Sequence, residues 1–99
     1  MILYEVNIQV RTEIYTAFYQ WLEQHIQDML KLPNFDTAKL FVGEENETEK
    51  ELVVHYHLKD RSAMNHYLEE LAPKMRSDAP KEFDSSFQIH RRILEYVHQ

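Results

Sequence analysis

The chain has 99 residues, with 17 acidic against 11 basic side chains and a net charge of −6. That length makes one domain, residues 1–99, which buries only about two-thirds of its unfolded surface, so apolar area covered by a second copy would add stability. Hydrophobic residues at 43% and charged residues at 28% exclude a disordered chain, no run approaches the roughly 18 apolar residues of a membrane-spanning helix, and the acidic balance argues against a nucleic-acid partner.

The opening Met1-Ile2-Leu3-Tyr4-Glu5 carries no basic segment and meets a charge at once, so no secretory signal is expected and the cytoplasm is the expected compartment. From Ile2 to Val10 the chain alternates, with Ile2, Tyr4, Val6, Ile8 and Val10 on one side and Leu3, Glu5, Asn7 and Gln9 on the other. Period two with β-branched residues predicts a strand with one buried face. Thr12 offers an N-cap hydroxyl and Glu13 an acid for the first turn of a helix. Its apolar stripe is Ile14, Phe18, Trp21, Leu22, His25, Ile26 and Met29, and Pro33 ends it.

A second strand is predicted from Phe35 to Val42, with Ala38, Leu40 and Val42 opposite Thr37, Lys39 and Phe41. Gly43 opens the acidic run Glu44 to Glu49, which reads as a solvated hairpin loop. A third strand follows from Glu51 to Leu58, presenting Leu52, Val54, Tyr56 and Leu58 on one face and Val53, His55 and His57 on the other. Asp60 or Ser62 caps a second helix with the stripe Met64, Tyr67, Leu68, Leu71 and Met75, and Pro73 removes the ladder bond to Glu69 and bends it. The last strand runs from about Phe87 to Val97. Arg91 interrupts its apolar parity, which predicts a β-bulge near His90 to Arg92.

Two helices with one apolar stripe each and four strands with one apolar face each satisfy one another as two layers. The order β-α-β-β-α-β, with right-handed crossovers, makes an α+β, ferredoxin-like two-layer sandwich with an antiparallel sheet of order 4-1-3-2. The helices cover one face. The other presents Leu3, Phe41 and Val53 among Glu5, Asn7, His55, His57, Gln88, His90 and Arg92, too apolar for solvent and too polar for a dry core. A half-wet interface with a second sheet suits that mixture, which predicts a homodimer through the open face.

Trp21-Leu22-x-x-His25-Ile26-x-x-Met29-Leu30 on the first helix resembles the pattern of a family of short bacterial proteins of unknown function. Tyr67, the run Ala72-Pro73-x-Met75-Arg76 and the closing Phe87-x-Ile89-x-Arg91 are similar to its other recurring features. The resemblance covers nearly the whole chain and implies a dimeric α+β barrel, in which two ferredoxin-like sheets pack face to face. That superfamily includes cofactor-independent monooxygenases, haem-degrading enzymes and muconolactone-isomerase-like proteins. The family itself carries no assigned activity, so the resemblance bears on fold more than on function.

Among single residues His25 is the sharpest lead, because it interrupts an apolar stripe. Facing a pocket between helix and sheet with Trp21 and Tyr67 nearby, a desolvated imidazole could bind or deprotonate an aromatic ligand. Buried polar groups are usually just paired, however, and a core histidine satisfied by a carbonyl or a tyrosine hydroxyl is the favoured reading. His55-x-His57 with Glu5 across the ladder has the donors for a divalent metal, but alternation on a wet face produces the same spacing, so no metal site is assigned. Asn7, near Glu5 and His57, resembles the polar groups that orient substrate in the superfamily, and a solvated or interface asparagine explains it as well. Tyr15 and Tyr19 pack at the edge of the helix stripe. Arg91 and Arg92 could receive an anion, but pairing across the dimer with the acidic loop is the favoured reading. With no cysteine and one glycine, neither a thiolate nor a phosphate-binding loop is available.

The expected function is therefore a small homodimer that binds a small ligand or a protein partner without catalysis and without a cofactor. The alternative is a cofactor-independent enzyme, monooxygenase- or isomerase-like, acting on a hydrophobic or aromatic small molecule. In it His25 would be the base and Trp21, Tyr67, Asn7 and His57 would contact the ligand.

Overall fold

The computed structural model describes residues 1–97. Strand β1 (Ile2–Arg11) leads through a 3-10 turn (Thr12–Ile14) into α1 (Tyr15–Leu30), followed by β2 (Phe35–Glu45) and β3 (Glu49–Leu58). The second crossover is a rod of α2 (Arg61–His66), a π turn (Tyr67–Leu71) and α3 (Ala72–Arg76), after which a 3-10 turn (Lys81–Phe83) enters β4 (Phe87–Glu95). The strands form one antiparallel sheet in the order β2-β3-β1-β4, the ferredoxin-like arrangement expected from the order of elements.

The alternation in β1 decides the layers. Ile2, Tyr4, Ile8 and Val10 are almost wholly buried and meet Leu52, Val54, Tyr56 and Leu58 of β3 on the same face. Phe18, Leu22, Ile26 and Met29 of α1 and Met64, Tyr67, Ala72 and Met75 of the second rod close over them. Each large side chain buried this way contributes about 1.5–3 kcal/mol, so the stripe and the alternation together carry most of the fold's stability. Phe83, in a turn that periodicity does not reveal, packs its ring 5.5 Å from that of Phe18 and extends the core past the last helix.

Three local expectations are corrected. The register of β4 against β1 runs unbroken from Val10–Phe87 to Ile2–Glu95, so there is no bulge near His90 to Arg92; Arg91 simply keeps its place on the helix-facing parity. The irregularities fall instead on the edge strand β2, between Phe35 and Thr37 and between Val42 and Glu45. The Thr12 hydroxyl does not cap α1 but donates to the Glu47 carbonyl at 3.3 Å, tying the hairpin tip to the end of β1. Only the middle of the acidic run is loop, since Glu44 and Glu45 end β2 and Glu49 begins β3; that loop is an Asx turn in which Asn46 Oδ1 accepts from the Thr48 and Glu49 amides at 2.9 Å.

Asp60 caps α2, its carboxylate accepting from the Ala63 amide at 2.9 Å. Pro73 has the expected consequence in a different form. Because it lacks an N–H, the helix widens into a π turn just before it, and the Ala72 amide donates to the Tyr67 carbonyl. Tyr67, the first residue of that turn, is 2% exposed.

Candidate functional site

Between the helical layer and the sheet lies an open cavity of about 360 Å³. Val6, Ile8 and Val54 form its floor, because alternation sends them up from the two central strands. Trp21, Leu22, His25 and Met29 of α1 form one wall, with Tyr67 and Met75 of the second rod opposite. Ala79 and Arg76 stand at the end of that rod, and Phe87, Ile89 and Arg91 of β4 complete the lining.

His25 stacks on Trp21, with centroids 4.8 Å apart and planes at 21°. Its Nδ1 is buried and has no hydrogen-bond partner. Desolvation lowers its pKa from the usual 6.5; Asp78 and Asp28 oppose that shift and Arg91 adds to it, and the imidazole is neutral at neutral pH. Tyr67 donates to Met29 Sδ at 3.6 Å, and burial pushes its phenol up to about 12. Tyr56 is likewise raised by burial. These phenols stay protonated and act as neutral polar tips in an apolar chamber.

Two arginines in the lining were not singled out for this pocket from sequence. Arg76 donates to the Tyr4 hydroxyl at 3.1 Å, so both mark one end of the chamber. Arg91 is half-buried and, among the described residues, makes no hydrogen bond or ion pair. Its break in the apolar parity of β4 was the available signal, but parity alone could not separate a bulge from a charge directed into a cavity.

The remaining site candidates lie elsewhere. Asn7 and His57 are on the open face of the sheet, away from Trp21, His25 and Tyr67. Nor are they neighbours: Asn7 is level with Val53 and His57 with Leu3, four residues apart along the ladder and about 13 Å at the rise of a strand. His57 stacks loosely on Tyr96, at 6.1 Å.

The open face is organised around Glu5. This carboxylate is 8% exposed and accepts from Arg92 Nε at 2.6 Å, from Asn7 Nδ2 at 2.9 Å and from His55 Nε2 at 2.8 Å. The Arg92 and Asn7 hydrogen bonds, helped by His55 against the cost of burial, hold its pKa at about 2. His55 thus spends Nε2 on Glu5, and among the described residues no group of three or more His, Cys, Asp or Glu side chains is placed to hold a metal ion. No helix of the described residues is long and apolar enough to cross a membrane.

Residues 1–97 match the family described as Domain of unknown function (DUF4286). The chain belongs to DUF4286. No curated protein matches it. An antibiotic biosynthesis monooxygenase of known structure is similar over 99% of this DUF4286 chain and 100% of its own, with a TM-score of 0.71 and 13% identity. A dimeric ferredoxin-like protein from an uncultured marine organism is similar over 99% and 96%, with a TM-score of 0.70 and 12% identity. SnoaB, a cofactor-independent oxygenase from Streptomyces nogalater, is similar over 99% and 95%, with a TM-score of 0.66 and 13% identity. At such identities the likeness shows a shared fold.

Proposed function

We propose that the protein binds a hydrophobic or aromatic small molecule in the cavity beneath α1, as a homodimer joined through the open face of the sheet. The observation that carries this reading is the chamber itself. Its volume lies within the usual range for ligand sites, about 300–1,000 Å³, and its lining is apolar with a few convergent polar tips. The Trp21–His25 stack offers a flat wall for an aromatic ring.

The dimer is supported by the open face. Leu3, Val53, Phe41 and Leu94 present apolar area there, while Glu5 has its charge satisfied within the protomer by Arg92, Asn7 and His55. A pre-paired charge costs less to cover than a free one.

The binding reading is tested with N-phenyl-1-naphthylamine, a neutral dye that brightens in apolar sites. The protein is expected to bind it, and Ala79→Trp at the rim of the chamber is expected to weaken binding about tenfold. A dye that does not bind, or that binds the Trp variant equally well, overturns the reading.

A catalytic reading is favoured by one observation, the unpartnered Nδ1 of a neutral His25. A general base needs that lone pair free and a pKa near or below neutrality. In this reading a cofactor-independent enzyme takes a proton from an apolar or aromatic substrate, and the description of SnoaB as a cofactor-independent oxygenase is consistent with it. The test is solvent-deuterium exchange into the acidic C–H of 2-tetralone. Exchange above the buffer rate and lost in His25→Gln supports it; exchange at the buffer rate overturns it.

A further inference from the structure

The cavity lies in a protein of net charge −6, yet its lining holds two arginines and no carboxylate. Arg91 and Arg92 separate the two ways an arginine can be used here. Arg92 turns to the open face and closes on Glu5 at 2.6 Å. Arg91 turns to the helix face, sits level with Val6 and is half-buried, with no hydrogen bond or ion pair among the described residues. A partly desolvated guanidinium without a counter-ion is costly, and an oxyanion that accepts from its fork of donors relieves that cost. Arg76, held by the Tyr4 hydroxyl, adds a second positive charge to the same lining.

Two carboxylates outside the lining, Asp78 beyond the end of α3 and Asp28 of α1, act on His25, and neither makes an ion pair with Arg91. The remaining lining is apolar or neutral: the Trp21–His25 stack and the aliphatic floor give the chamber apolar walls, and Arg91 and Arg76 bring positive charge onto the same lining, where both act on Tyr67 and Arg91 also acts on His25.

We propose that the cavity selects molecules that join an apolar or aromatic body to an anionic group, a carboxylate or sulfonate, with the anion on Arg91. This rests on the ligand-binding reading of the same chamber and names the class of ligand. The guanidinium groups supply orientation as well as affinity, because they draw the anionic group while the body packs on the apolar walls.

The experiment compares two probes that differ by one group: 8-anilino-1-naphthalenesulfonate and N-phenyl-1-naphthylamine, the same molecule without the sulfonate. At low salt the wild-type protein is expected to bind the sulfonate about tenfold more tightly than the neutral probe. Arg91→Gln is expected to erase that preference while leaving the neutral probe's affinity within about twofold, and Arg91→Lys to retain most of it. Lys39→Gln, which makes the same charge change on the open face of β2, is expected to leave both affinities unchanged.

Equal affinity for the two probes in the wild-type protein overturns the anion assignment and leaves the apolar cavity reading standing. A preference that survives Arg91→Gln, or that is lost in Lys39→Gln, overturns it too. Failure of both probes to bind overturns the cavity reading itself. The wild-type comparison stands even if a variant does not fold.

Discussion

Glu5 and Arg92 face each other across β1 and β4 with Arg92 Nε 2.6 Å from Glu5 Oε1, and this pair neutralises the middle of a sheet face that no helix covers. The Arg92 side chain is 57% exposed while that of Glu5 is only 10% exposed, so the carboxylate is the partner that depends on the interaction. Three consequences of this arrangement and of the cavity behind it can be measured.

The first concerns acid. The folded pKa of Glu5 is about 2, below the ordinary 4.5, so the folded state favours the ionised form. Its contribution to stability is complete above pH 4.5 and is lost as pH falls from 4.5 through about 2. Discounted for solvent around Arg92, that contribution is on the order of 2 kcal/mol. Urea unfolding should show Glu5→Gln less stable than wild type at neutral pH, with the gap closing in that acid window. A gap independent of pH would remove the ion pair as its cause.

His25 carries the second. Because its folded pKa is lowered, the unfolded chain binds more protons just below the ordinary value, so stability falls as pH drops below 6.5. Nuclear magnetic resonance titration of the ring should give a midpoint under 6.5. Trp21→Ala, which strips away the stacked indole and admits water, should move it back toward that value. A His25 midpoint at or above 6.5 in the wild-type protein would contradict the burial that sets the shift.

The third tests the dimer. Val53 lies in the central part of the open face, level with Asn7 on one side and Phe41 on the other. Static light scattering should report twice the chain mass for the wild-type protein. Val53→Lys should give a folded monomer, since an unpaired charge at the centre of an interface costs several kcal/mol. A wild-type protein that stays monomeric at every concentration would leave the mixed face without this explanation.

Much of the architecture was legible because it rests on local periodicity. Side chains alternate in strands at period two and recur in helices at 3.6, so the buried faces of β1 and β3 and the stripe of α1 follow from residue order alone. That Glu5 shares a face with His55 and Arg92 followed once the strand order was assumed, because antiparallel pairing places whole parities together; that Arg92 closes on Glu5 rather than on the acidic loop across the dimer did not. Asn7 and His57 show the limit of that reasoning. Sharing a face does not make residues neighbours, and their separation depends on a register that alternation leaves free.

Sequence by itself determined the element order, the strand order it implies, and which residues face the helices, since these follow from chirality and from the burial of apolar stripes. The cavity was decided only by the tertiary structure, because a void is the difference between large packed volumes and no single residue encodes it. The same holds for the π turn at Tyr67, where the missing N–H of Pro73 could be met by a bend or by a widened turn and packing chose the latter. It holds also for Arg91, whose position inside an apolar parity became a charge without a partner only when α1 and the second rod closed over it.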